Sequence, residues 1–129
     1  MGVNYLWDSN TVIYYLQQQL SNFATQKKDE ILVDSKPTIS VITEIELLSW
    51  RNAKEQDLEL LYDFIQTCWL FELEQSIRYE TATIRKHFRV KLPDAIIAAT
   101  ALSYDLTLIT RNTSDFKKTP SLKLLNLFE

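Results

Sequence analysis

Along the chain, short apolar runs alternate with longer stretches in which apolar residues recur every three or four positions, the two patterns that separate strand from helix. Val3-Asn4-Tyr5-Leu6-Trp7 is β-prone and stops at the polar turn Asp8-Ser9-Asn10, after which Val12, Ile13 and Leu16 recur at helical spacing. Residues 20–33 predict a second, more polar helix, and Lys36-Pro37 makes a break before a second strand, Thr38-Ile39-Ser40-Val41. Thr43 can cap the helix that follows, with Glu46 at the N3 position of a capping box and Leu47, Leu48 and Trp50 as the apolar side.

From Ala53 to Thr67, the spacing of Leu58, Leu61, Tyr62 and Ile65 predicts an amphipathic helix, and Trp69-Leu70-Phe71 a third strand. Ile77, Ala82 and Ile84 mark another helix that ends before a basic segment. Pro93-Asp94 opens the strongest helix, since the missing proline N–H is no loss in a first turn. Ile96, Ile97, Ala98, Ala99, Ala101 and Leu102 make it apolar nearly all round, as expected of a helix sandwiched inside the molecule. Leu106 to Ile109 reads as a fourth strand, Arg111 to Asp115 as a polar turn, and Leu124, Leu125 and Leu127 as a final edge strand. Strands separated by helices predict one α/β domain over residues 1–129, with a mainly parallel sheet of four or five short strands flanked by helices. Ligands bind such sheets beyond the carboxyl ends of the strands, where strand order reverses. Asp8, Glu46 and the stretch from Thr110 to Asp115 all follow strands at that edge.

Composition then narrows the chemistry. The 129 residues contain one glycine, Gly2, so no glycine-rich phosphate loop can be built. A single cysteine, Cys68, excludes an intrachain disulfide and a thiolate zinc site, and reads as a small hydrophobe rather than a nucleophile. The single histidine, His87, reads as a surface or helix-end residue. The N-terminal stretch lacks a basic region and carries Asp8, and no apolar run approaches the roughly 20 residues of a membrane span, so a cytoplasmic protein without a membrane partner is expected. Carboxylates number 17, which leaves metal-assisted carboxylate chemistry as the most accessible for an enzyme of this composition. The net charge of −3 hides a division: residues 1–77 hold five Lys/Arg against twelve Asp/Glu, and residues 78–123 hold nine against four. The second set includes Arg85, Lys86, Arg89 and Lys91, which form either a solvated helix face or a patch for a polyanion.

Taken singly, each acid has a structural explanation. Asp8 can be a helix N-cap, Glu46 a capping-box partner, Asp94 a first-turn residue favoured by the helix dipole, and Asp115 a loop or cap residue. Placed together at strand ends and helix starts, the four would repel one another, and a divalent cation is the simplest counterion. Magnesium suits such a set because it prefers oxygen ligands and keeps several waters.

Four segments resemble the PIN-domain ribonucleases, specifically the VapC-type toxins of toxin–antitoxin pairs. They are Leu6-Trp7-Asp8-Ser9-Asn10; Ile39-Ser40-Val41-Ile42-Thr43 with Glu46-Leu47; Lys91 to Ala101; and Leu108-Ile109-Thr110-Arg111-Asn112 with Asp115-Phe116. The resemblance implies a PIN-like fold and a metal-dependent endoribonuclease in which Asp8, Glu46, Asp94 and Asp115 bind Mg2+ or Mn2+ and carry catalysis. Ser9, Asn10, Thr110 and Asn112 then support the site. The Thr-x-x-Glu-Leu spacing of the family selects Glu46 over Glu44, which lies roughly 200° away around a helix. Asn112 is a departure, since many relatives carry another aspartate there. The resemblance also implies an RNA substrate, a small antitoxin partner and a homodimer, and gives Arg85, Lys86, Arg89 and Lys91 a use in holding the RNA backbone. Trp7, Tyr14, Tyr15, Trp50 and Trp69 have mostly core-like spacing rather than that of a base-stacking platform. Two other readings stand beside this one: a PIN-like binding domain without catalysis, and a haloacid-dehalogenase-type phosphatase using Asp8 as nucleophile with Thr110.

Overall fold

A computed structural model describes residues 4–17, 26, 29–30 and 36–127. Five short strands, β1 (Tyr5–Trp7), β2 (Thr38–Ser40), β3 (Trp69–Phe71), β4 (Thr107–Ile109) and β5 (Lys123–Leu125), form one sheet in the order β3-β2-β1-β4-β5. Every pairing is parallel, with Leu6 opposite both Thr38 and Leu108. Parallel neighbours need crossover connections, and the described helices supply them: α1 (Ser9–Leu16), α2 (Val41–Leu48), α3 (Glu55–Thr67), α4 (Gln75–His87), α5 (Leu92–Ser103) and α6 (Thr113–Phe116). The helix expected over 20–33 falls almost wholly outside the described residues; Gln26, Asp29 and Glu30 within it are helical.

Both faces of the sheet are covered, which the alternation along the central strands dictates. Leu6 and Leu108 point to one side, into a core with Ile77, Ile84, Phe116 and the buried run Ala95–Ala101 of α5. Trp7 and Ile109 point to the other, where they meet Val12, Leu47, Leu61 and Phe64. Trp7, Tyr15 and Phe64 pack as an aromatic triad with ring centroids 5.6 Å apart. The apolar helix opened by Pro93 is thus internal, as its composition requires, with α4 packed along it.

Three local expectations are corrected. Thr43 does not cap α2: Ser40 does, accepting a hydrogen bond from the Ile42 N–H at 3.1 Å, so the helix starts at Val41. A serine at the end of the strand reaches the free N–H groups first, and Thr43 becomes a buried first-turn residue. Residues 113–116 of the expected polar turn wind into the single turn α6. Trp69 is 59% exposed, because β3 is an edge strand and its side chain faces outward.

Candidate metal centre

The order β3-β2-β1-β4-β5 places the reversal between β1 and β4, since the chain first moves outward from β1 to β2 and later returns on its other side. A crevice is expected at the carboxyl ends of those two strands. Asp8 ends β1 and Thr110 ends β4, and their side chains meet there: the Thr110 hydroxyl donates to Asp8 Oδ2. Asp8 Oδ1 accepts from the Thr11 N–H at 2.9 Å, so Asp8 is the N-cap of α1. The Thr11 hydroxyl donates to the Ile109 carbonyl at 3.1 Å and ties α1 to β4. On the other side of Thr110, its Oγ1 accepts from the Asn112 N–H at 2.9 Å, and the Asn112 amide donates to Asp115 Oδ2 at 2.8 Å. Asp8, Thr110, Asn112 and Asp115 are therefore linked in one hydrogen-bonded chain.

The remaining acids come from α2 and α5. Glu46 lies at the rim, and its Oε1 accepts from the Ser9 hydroxyl at 3.3 Å. Its distance from the N-terminus of α2 removes the capping-box role, because the cap is Ser40. Asp94 sits in the first turn of α5, opposite the helix N–H groups. Burial pushes the Asp94 carboxyl above the ordinary aspartate range, and the nearby charges of Asp115 and then Asp8 push it further, while Lys91 and Lys118 oppose them. Glu46 is raised by burial, and Asp94 and Asp8 add to this against the Ser9 bond. Asp8, 6% exposed, is raised by burial despite its hydrogen bonds from Thr110 and Thr11. Glu46 thus feels Asp94 and Asp8, and Asp94 feels Asp115 and Asp8, so residues distant in sequence share one field.

The basic residues divide. Lys91, the N-cap of α5, lies within electrostatic reach of Asp94, and so does Lys118, which the sequence motifs do not single out. Arg85, Lys86 and Arg89 are exposed at the end of α4, where Arg85 and Lys86 complement the negative end of the helix dipole. Arg85 Nε donates to the Val90 carbonyl at 3.4 Å. Asn10 is exposed on α1 and makes none of the bonds that link the acids. His87 is an exposed helix-end residue whose ring bonds the Thr83 carbonyl. Burial pushes the Cys68 thiol up to about 12, which fits an inert packing residue.

The donor set suits a hard cation: the four acids, Thr110 and Asn112 all offer oxygen, and a positive charge among the acids would relieve both burial and repulsion. Among the described residues no three histidine, cysteine, aspartate or glutamate side chains already stand at the spacing of a closed metal cage. Magnesium does not need one, since it retains waters and takes one or two carboxylates together with substrate phosphates. A surface hollow of about 580 Å³ is lined by Leu16, Lys54, Asp57 and Leu60 among others, and by none of these four acids.

Residues 5–122 match the family model of the PIN domain, and the chain belongs to that family. Membership sets aside the haloacid-dehalogenase-type reading. The chain is 22% identical over 126 residues to Ribonuclease VapC of Rickettsia bellii (strain RML369-C), covering 93% of each. Its fold is similar to that in VapBC2 from Rickettsia felis bound to a DNA fragment from their promoter, with a TM-score of 0.82 and 22% identity over 96% of this chain and 98% of that one. It is similar also to a toxin–antitoxin complex from Klebsiella pneumoniae, with a TM-score of 0.75 and 28% identity over 98% and 99% of the two chains. Among the described residues no helix is long and apolar enough to cross a membrane.

Proposed function

We propose that the chain, as a single PIN-like domain over residues 1–129, is a divalent-metal-dependent endoribonuclease that hydrolyses RNA phosphodiester bonds and serves as the toxin of a VapBC-type pair. The supporting observation is the convergence of Asp8, Glu46, Asp94 and Asp115, from four separate elements, on the crevice where strand order reverses. In this reading those four acids hold Mg2+ or Mn2+. The bound cation would supply hydroxide from a water at neutral pH and neutralise charge on the leaving oxygen. Thr110 and the Thr11 N–H fix Asp8, Ser9 steadies Glu46, and Asn112 orients Asp115. Lys91 and Lys118 offset the negative field at Asp94 and draw a phosphate toward it, while Arg85, Lys86 and Arg89 hold the RNA backbone farther out.

The VapBC and toxin–antitoxin complexes to which the fold is similar support an antitoxin partner. The acidic crevice suits a small antitoxin that inserts a basic side chain among the carboxylates, where a guanidinium would replace metal charge. The protein acts in the cytoplasm as a homodimer. The absence of a closed acid cage among the described residues favours one other reading, a PIN-like scaffold without catalysis. The retention of all four acids favours the enzyme.

Purified protein is expected to cleave structured RNA in Mg2+ or Mn2+, to stop when EDTA is added, and to resume when metal is restored. Gel analysis of the cut ends checks this. Equal cleavage in EDTA would contradict metal dependence, and no cleavage in either metal would support the scaffold.

A further inference from the structure

Arg111 follows Thr110 directly, and so stands next to the hydroxyl that bonds Asp8, and its own side chain is exposed. It reaches α1. Arg111 Nη1 donates to the Tyr14 hydroxyl at 3.0 Å, and its Cζ lies 5.6 Å from the centroid of the Tyr14 ring. The buried Thr11 bond to Ile109 holds α1 against β4 just below this pair, so the strand end and the helix carry the guanidinium as one unit. We infer that Arg111 is a phosphate-binding residue of the RNA groove and that Tyr14 is the positioning residue that holds it. This deepens the ribonuclease reading and rests on it.

Three features support the assignment. Tyr14 lies six residues beyond Asp8 on the same helix, about 9 Å along its axis, so the guanidinium meets a phosphate beside the reacting one rather than the reacting one itself. An arginine presents a planar fork that matches two phosphate oxygens, and a tyrosine beneath it reduces the side-chain freedom lost on binding. Lys91 and Lys118 are the cations beside Asp94; Arg111 adds one on the α1 side, where an acidic crevice would otherwise repel the strand.

The test compares wild type, Arg111→Ala, Arg111→Lys and Tyr14→Leu. Cleavage of a short single-stranded RNA is followed in Mg2+, and equilibrium binding of that RNA over a salt series is measured with each change combined with Asp94→Asn to suppress cleavage. Arg111→Ala is expected to raise KM about tenfold with kcat changed by less than about twofold. It should also reduce the slope of log K against log salt by about 0.7, the loss of one single-strand phosphate contact. Arg111→Lys should keep the slope while binding more weakly, and Tyr14→Leu should weaken binding at an unchanged slope, because the charge remains. An Arg111→Ala protein with unaltered KM and salt slope but a lower Tm would overturn the inference and leave the pair as a staple. Absence of RNA binding by every protein would overturn it as well. RNA bound with the expected change in slope, but cut by none of the proteins in Mg2+, would sustain the phosphate contact and remove the ribonuclease reading.

Discussion

Asp94→Asn is expected to slow RNA cleavage at least about a hundredfold and, at the same time, to raise Tm at pH 7. The two effects share a cause. In the fold the Asp94 carboxyl titrates above the ordinary aspartate value of 3.8, first through burial and then through repulsion by Asp115 and Asp8, partly offset by Lys91 and Lys118. The unfolded chain ionises at the ordinary value. As pH rises through the interval between the unfolded and folded values, protons therefore leave the unfolded state first, and stability falls. Above the folded value the loss is complete and constant. Asp8 and Glu46 act in the same direction, each from burial first. Wild type should therefore lose stability from about pH 4 toward neutrality through these three groups, and Asp94→Asn should flatten part of that decline. Calorimetric melting across this range, beside cleavage assays, checks both halves. A variant that cleaves normally, or one that is inactive and less stable at pH 7, would show that Asp94 is not a repelled member of the acidic set.

Thr110→Val should give the largest loss of stability at the site. The side chain is 0% exposed, and its hydroxyl both donates to Asp8 and accepts from the Asn112 N–H. Valine keeps the shape and leaves a buried carboxylate oxygen and a backbone N–H without partners. At about 1–3 kcal/mol for each of these two groups, the expected cost is about 2–6 kcal/mol. Losing the Thr110 bond also raises the Asp8 carboxyl further, since that bond stabilises its charged form. Cleavage should fall with it, whereas Thr110→Ser, which keeps the hydroxyl, should recover most of both. Urea unfolding distinguishes the outcomes: a valine variant as stable as wild type would mean that the chain of bonds from Asp8 to Asp115 contributes little.

Much of the arrangement was readable from residue order because it depends on backbone patterning. The continuous apolar surface of α5 announced an internal helix, and strands ending in Asp8 and Thr110 announced a polar crevice at a sheet edge. That these two residues bond each other depends on strand order, which periodicity does not encode. The start of α2 was misread because Ser40 and Thr43 are both able caps, and only the backbone path shows which one reaches free N–H groups. Arg111 and Lys118 are visible in the sequence only as members of the basic set in residues 78–123. The contact of Arg111 with Tyr14 and the nearness of Lys118 to Asp94 follow from the folded path of the chain, which no spacing marks. The charge division between the halves was visible, but the structure separates Lys91 and Lys118, which reach Asp94, from Arg85, Lys86 and Arg89, which sit at the end of α4.

Direct titration of Mn2+ into the purified protein by calorimetry bears most closely on whether the four acids form a metal site. Binding should be saturable and should tighten as pH rises through the range in which the raised carboxyl groups ionise, because the ionised carboxylates take the metal. Asp94→Asn should weaken it markedly. Absence of saturable binding, or equal affinity in wild type and Asp94→Asn, would contradict a metal centre built on these carboxylates.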